Sequence, residues 1–200
     1  EFQKKHNCKI VASTFFNTFF KEKYPEIFYV EKGTPIKGVH YSLAVGWFGD
    51  GHASSKNKRD CHLIPLQALA TDVLGLDYKE IKPELHFNKS IRKIKEKYVT
   101  ITTCSTAQFK FYNRPGGWDE IIKYLTTLGY KVVNIGKQPN YLKGVVNFTG
   151  KRDLNELINM IHYSDFFIGL PSGLAWLSWA LNKKTVMITG ISKKFCEYRS

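Results

Sequence analysis

Apolar positions follow the clearest pattern in the second half of the chain, where short apolar runs alternate with amphipathic segments. Three runs are typical of buried strands: residues 98–103 (YVTITT), 131–135 (KVVNI) and 145–148 (VVNF). Residues 118–128 and 153–162 instead repeat apolar side chains at the spacing of a helix. The alternation predicts consecutive βα units and a parallel sheet from about residue 97 onward.

The stretch from residue 165 to 190 predicts a strand, a turn, a helix and a second strand. Residues 165–168 favour a strand, 169–173 a turn of small residues, 174–181 an apolar helix and 185–189 another strand. In such a βαβ unit, ligands bind beyond the carboxyl end of the strand, at the start of the helix. We expect Ser172 to cap this helix and Gly173 to let an anion approach the backbone. Cap and turn chemistry without any ligand is the alternative.

The first half predicts a similar but less regular alternation. Helices are expected at residues 1–7, 15–23 and 65–76, and strands at 9–13, 27–30 and 41–48. Residues 77–97 are charged and rich in turn formers, which marks a domain boundary. The sequence therefore predicts a partial N-terminal Rossmann-like domain with its linker, residues 1–96, and a C-terminal Rossmann-like domain, residues 97–200.

Charge favours anionic partners, since 30 Lys and Arg against 17 Asp and Glu give a net charge of +13. Most lysines are scattered, however, which is typical of a solvated surface. No apolar run is long enough to span a bilayer, and the first residues lack the order of a signal peptide. The four cysteines are far apart and show no CxxC spacing, which favours reduced thiols. We expect a cytoplasmic protein.

Two polar segments carry candidate chemistry. Residues 49–62 hold a cluster of possible metal ligands, for which a solvated loop is the favoured interpretation; these are Asp50, His52, Asp60 and His62. The loop after residue 103 holds side chains that could surround a diphosphate, with Lys110 as its cation and Ser105, Thr106 and Gln108 as hydrogen-bond donors. A surface lysine is the alternative for Lys110. Neither GxxxxGK[ST] nor GxGxxG is present, which argues against P-loop NTPases and classical dehydrogenases.

Several linked motifs resemble those of the bacterial autotransporter heptosyltransferases, relatives of the ADP-heptose:lipopolysaccharide heptosyltransferases. The matching positions are Ser105 to Gln108, Lys110, Asn113, Pro115, Gly117, Trp118, residues 165–169 and residues 172–177. The segment PLQALATDVLGLDYKEIKP also resembles the helix that precedes the interdomain link in this family. The resemblance covers nearly the whole chain and is strongest from residue 97 onward.

The resemblance implies an α/β fold of GT-B type, with two Rossmann-like domains and the nucleotide sugar in the C-terminal one. It implies transfer of heptose from ADP-heptose to serine hydroxyls of an autotransporter protein. In that scheme Lys110 stabilises the departing ADP. The other expected donor-site residues are Ser105, Thr106, Gln108, Gly169, Ser172, Gly173 and Leu174.

Three departures accompany the resemblance. The family's catalytic Asp is expected upstream of Glu1, and its iron-binding cysteine segment downstream of Ser200, so neither a catalytic base nor a metal or other cofactor is expected within this chain. Pro171 removes an N–H from the diphosphate turn. The chain is therefore expected to bind donor but to catalyse poorly. A non-catalytic module that binds anions or nucleic acid is the alternative function, and the sequence leaves the sugar, the base and homo-oligomerisation open.

Overall fold

The computed structural model describes residues 1–43, 64–138 and 142–190. These residues form two compact units, which divide between His86 and Phe87. In neither unit does a described helix have the length and apolar character needed to cross a membrane. The predicted strand at 41–48 falls largely on undescribed residues. The polar cluster of Asp50, His52, Asp60 and His62 lies wholly outside the described residues.

The described residues of the first unit form two α-helices and a pair of parallel strands. The elements are α1 (Phe2–His6), β1 (Val11–Ser13), β2 (Phe28–Val30) and α2 (Leu66–Leu74). β1 pairs with β2 in parallel, with Val11 opposite Phe28. Pro65 occupies the N-cap position of α2, and Gly75 ends the helix in the left-handed conformation at φ 62°.

The helix predicted at residues 15–23 is wrong. This segment forms turns around one short 3-10 helix, Asn17–Phe19. Phe15 and Phe16 are 71% and 53% exposed, so the Phe-rich segment does not bury an apolar face here. Because most helical stability in proteins comes from packing, and aromatic residues lose rotamer freedom in a helix, the segment has little to hold a longer helix together.

The second unit is a five-stranded parallel sheet with helices on both faces. Its strands are β3 (Tyr98–Ile101), β4 (Lys131–Asn134), β5 (Val145–Asn147), β6 (Phe166–Gly169) and β7 (Lys184–Met187), in the spatial order β5-β4-β3-β6-β7. Its helices are α3 (Gly117–Thr127), α4 (Leu154–Tyr163) and α5 (Gly173–Ala180). All four strand pairs are parallel, which confirms the predicted βα alternation.

The three central strands, β3, β4 and β6, are buried on both faces of the sheet, to which their successive side chains point in alternation. Val99 and Ile101 pack with Trp118 and Ile122 of α3 in one core cluster. A second cluster joins the strand residues Tyr98, Val133 and Phe167 to α4 and α5 through Met160, Ile161 and Ala175. The apolar runs that form β3 and β4 are therefore covered on both sides, whereas the run that forms the edge strand β5 is partly exposed.

The segment that enters the second unit is fastened to α4 by two asparagine side chains. Asn155 Nδ2 and Asn159 Nδ2 both donate to the carbonyl oxygen of Asn88, at 2.9 Å each. Asn159 Oδ1 accepts from the Ser90 N–H at 2.8 Å. Lys93 adds an ion pair with Glu156 at 2.7 Å. These contacts explain why the second unit begins at Phe87.

The strand order places a switch point between β3 and β6. If the five strands of this sheet are renumbered 1 to 5 in chain order, their spatial order is 3-2-1-4-5. The chain therefore winds toward one edge after β3 and toward the other edge after β5. The loops that leave β3 and β6 consequently diverge at the carboxyl edge of the sheet. In doubly wound sheets the crevice at this point is where ligands bind.

Candidate functional site

The turn that leaves β6 begins at a glycine required by close packing. A Cβ on Gly169 would lie 2.5 Å from Thr102 Cγ2 and 2.7 Å from the Phe167 ring. Beyond it, Leu170 and Pro171 are buried, and α5 then begins at Gly173. The glycine lets the end of β6 pack against the end of β3, which fixes the position of the turn.

Ser172 does not cap α5 with its side chain, so the expectation of a capping serine is wrong. Its backbone is extended, at φ −150° and ψ 172°, and its hydroxyl makes no cap hydrogen bond. The Ser172 Oγ is nevertheless buried and is without a hydrogen-bond partner in the described part of the chain. A buried hydroxyl without a hydrogen-bond partner costs about 1–3 kcal/mol, which makes Ser172 an unusual residue at this turn.

The start of α5 is open to solvent. Gly173 is exposed, and a Cβ built on it would meet no atom within 4 Å. The first N–H groups of a helix have no intrahelical acceptor, and the helix dipole adds a partial positive charge there. The open space over Gly173 therefore adjoins a set of backbone donors that suit an anion.

Lys110 brings a side-chain cation to the same turn. It ends the short 3-10 helix Gln108–Lys110 in the loop after β3. Its Nζ donates to the carbonyl oxygen of Pro171 at 3.1 Å. The two loops that the sequence analysis singled out thus meet across the switch point, with an ammonium one residue from the buried Ser172 hydroxyl.

The remaining predicted donor-site residues are placed less closely. Ser105 is half-buried, while Thr106 and Gln108 are exposed on the loop that carries Lys110. Among the hydrogen bonds of the described residues, none joins these three side chains to the 170–173 turn. Leu174 packs against the apolar cluster formed with α4 and α5. Their roles in binding stay predictions.

Sequence reasoning missed three buried polar residues at the carboxyl edge of the sheet. Thr102, Thr103 and Asn134 are 1%, 7% and 1% exposed. Thr102 Oγ1 donates to the Cys104 carbonyl at 3.3 Å, and Asn134 Oδ1 accepts from the Gly136 N–H at 3.2 Å. In the sequence the two threonines are indistinguishable from ordinary strand residues. The asparagine, which follows two valines, was the available indication of a polar group at the end of a strand.

Chemically, this site can bind an anion and stabilise negative charge. It combines one ammonium, the exposed start of a helix and a buried hydroxyl at the ligand-binding edge of a doubly wound sheet. Over residues 1–43, 64–138 and 142–190, no three His, Cys, Asp or Glu side chains come together as metal ligands.

Comparison with known proteins identifies a family and several relatives. The model of glycosyltransferase family 9 (heptosyltransferase) matches residues 26–194. The chain is 33% identical to the autotransporter heptosyltransferase Aah of Escherichia coli, over 99% of this chain and 53% of that protein. It is 25% identical to BimC of Burkholderia thailandensis, described as an inactive autotransporter heptosyltransferase, over 99% of this chain and 49% of that protein. The chain thus spans about half the length of the curated relatives it matches.

Comparison with solved structures agrees with the family match. The structure matches TibC of Escherichia coli, an iron-containing dodecameric heptosyltransferase crystallised with ADP-D-beta-D-heptose, with a TM-score of 0.88 and 32% sequence identity. The match covers 98% of this chain and 54% of that one. This likeness confirms the predicted α/β fold of GT-B type.

Proposed function

The chain belongs to glycosyltransferase family 9, the heptosyltransferases, and we propose that it binds ADP-heptose and transfers the heptose to serine hydroxyls of an autotransporter protein. Two observations on relatives support the substrates: Aah is an autotransporter heptosyltransferase, and TibC was crystallised with ADP-D-beta-D-heptose. A nucleic-acid-binding module, the alternative drawn from the sequence, is not favoured by these relatives. The proposal also includes homo-oligomerisation, since TibC is dodecameric.

The observation that carries the proposal is the pairing of Lys110 with the turn before α5. The ammonium lies 3.1 Å from the Pro171 carbonyl, next to a buried hydroxyl without a partner and an uncapped helix start. Two negatively charged phosphates can use the ammonium and the exposed helix start at once. A surface lysine with no ligand role would leave the unsatisfied Ser172 hydroxyl unexplained.

In the proposed reaction, the bond between the anomeric carbon of heptose and the β-phosphate oxygen breaks, a bond to the serine oxygen forms, and the serine hydroxyl proton passes to a general base or to solvent. The departing ADP gains negative charge at the β-phosphate. Lys110 and the N–H groups at the start of α5 stabilise that charge, which lowers the barrier to departure. The described residues are thus assigned to the donor side of the reaction, and we propose the second unit as the donor domain.

We place the reaction in the cytoplasm. Cys8 and Cys104 are free thiols, as is usual in a reducing compartment.

The test is calorimetric titration of the chain with ADP, UDP, GDP and ADP-heptose. Lys110→Gln is expected to weaken ADP and ADP-heptose binding at least tenfold, because it removes one charge-assisted contact, worth about 1.5–3 kcal/mol. Lys123→Gln is the matched control, since it removes the same charge from an exposed position on α3. Equal affinity in both variants would remove Lys110 from the site. Transfer of labelled heptose to an autotransporter fragment then tests the reaction separately.

A further inference from the structure

A second basic site lies at the opposite edge of the same sheet. A depression of about 480 Å³ opens at the amino ends of the strands, where Lys97, Lys183 and Lys184 line it together with Asp165 and Tyr130. It is separated from the Lys110 turn by the length of the strands, roughly 13 Å for a strand of four residues. None of the residues that line this depression belongs to the proposed donor site.

The sheet topology explains why these charges meet. Lys97 directly precedes β3, Asp165 precedes β6, and Lys183 and Lys184 lie at the start of β7. β3, β6 and β7 are neighbours in the sheet and run in parallel, so their amino ends share one edge. Residues far apart in sequence, which look scattered along the chain, are gathered in this way.

The depression holds a surplus of positive charge, three ammonium groups against one carboxylate. Among the described residues, no ion pair involves Lys97 or Lys184. Lys97 Nζ lies 4.3 Å from the centroid of the Tyr130 ring, a contact that leaves the ammonium able to bind an anion.

Lys183 forms the fixed part of this depression. Its Nζ donates to the Ser164 carbonyl at 2.7 Å, which holds the ammonium in place. Burial lowers the pKa of Lys183, an effect that Asp165 opposes and Arg92 reinforces. The protein therefore holds a partly desolvated cation beside further positive charge, and a bound anion would relieve this cost.

We propose that the depression binds a phosphate group, carried either by a soluble phosphate compound or by a phospholipid head group. Three lysines reaching from two sides of a concave site suit the tetrahedral oxygens of phosphate. The net charge of +2 matches a phosphate dianion. A concave site of this size favours a compact ligand over an extended polymer.

The experiment compares two double variants of the 200-residue chain by two-dimensional NMR during titration with inorganic phosphate. Lys97→Gln with Lys184→Gln removes the two ammonium groups of the depression that form no ion pair among the described residues. Lys95→Gln with Lys151→Gln is the matched control, because it removes the same charge from exposed residues that do not line the depression. The expected result is saturable shifts of the amides of residues 97, 165 and 182–184. The phosphate dissociation constant obtained from these shifts should rise at least tenfold in the first variant and less than twofold in the control.

A parallel arm measures sedimentation with vesicles of phosphatidylglycerol mixed with phosphatidylcholine, and with phosphatidylcholine alone. Binding to the anionic vesicles that is lost only in the Lys97/Lys184 variant, without saturation by free phosphate, assigns the site to a lipid head group. Equal losses in both double variants, or no binding in either arm at constant ionic strength, would overturn the proposal. Shifts confined to residues 105–110 and 172–173 would also overturn it, because phosphate would then occupy only the other edge. Failure here leaves the donor-binding test unaffected, since that test depends on Lys110.

Discussion

Gly173→Ala separates a ligand role from a folding role at the start of α5. The backbone at Gly173 does not have a positive φ, and the added methyl group would meet no atom within 4 Å. Folding is therefore expected to be unharmed. Replacing glycine by alanine at a compatible position stabilises a protein by about 0.4–1 kcal/mol, and this first helical position should give the lower part of that range.

Binding should respond in the opposite direction. The methyl group would fill the open space that a diphosphate needs in order to approach the first N–H groups of α5. We expect ADP affinity to fall at least tenfold, which corresponds to about 1.4 kcal/mol. Calorimetric titration with ADP, combined with urea unfolding of the same samples, measures both quantities.

Gly169→Ala, four residues earlier, provides the contrast. Its new Cβ would lie 2.5 Å from Thr102 Cγ2, so the end of β6 must shift. Overpacking of this kind costs about 1–3 kcal/mol, and both stability and ADP binding should fall. If Gly173→Ala leaves ADP affinity unchanged while the protein stays folded, the diphosphate does not lie over α5, and the proposed site is refuted.

Two further predictions concern the second unit itself. Burial raises the pKa of Tyr98 to about 12, so the folded protein keeps a proton that the unfolded chain releases above pH 10, and stability should fall from pH 10 to 12. Urea unfolding across that range should show this loss in the parent protein. Tyr98→Phe should have a lower free energy of unfolding at neutral pH, and that free energy should depend less on pH above pH 10. Asn159→Ala removes the partner of the Ser90 N–H and one donor to the Asn88 carbonyl, so it should cost about 1–3 kcal/mol. Hydrogen exchange should then be faster at residues 88–90, and unchanged exchange there would contradict the role given to Asn159.

The central strands of the second unit could be predicted because they are largely apolar and buried on both faces. The prediction of a strand at residues 98–103 still ran too long, since β3 ends at Ile101. Thr102 and Thr103 have strong strand propensity, but they lie where the chain leaves the sheet toward the site. The failed helix at 15–23 shows the opposite limit, because an apolar composition does not indicate which face will be buried.

For the candidate site, topology could be predicted and side-chain environment could not. The rule that parallel strands end at one edge was enough to bring the Lys110 loop and the Ser172 turn together. The unsatisfied hydroxyl of Ser172 depends on backbone angles that no sequence pattern encodes. The lysines at the amino edge were interpreted as scattered surface charge, because their proximity exists only in the folded sheet.

Pro171 has two opposite effects on anion binding at this turn. A proline removes one backbone N–H that could have contacted a diphosphate. Its carbonyl oxygen, however, accepts from Lys110 Nζ at 3.1 Å and so keeps an ammonium near the start of α5. A cation beside a helix N-terminus is unfavourable by about 0.3–1 kcal/mol, and an arriving anion reverses the sign of that interaction. Since a charge-assisted contact is roughly twice as strong as a neutral one, the held lysine can more than replace the missing N–H.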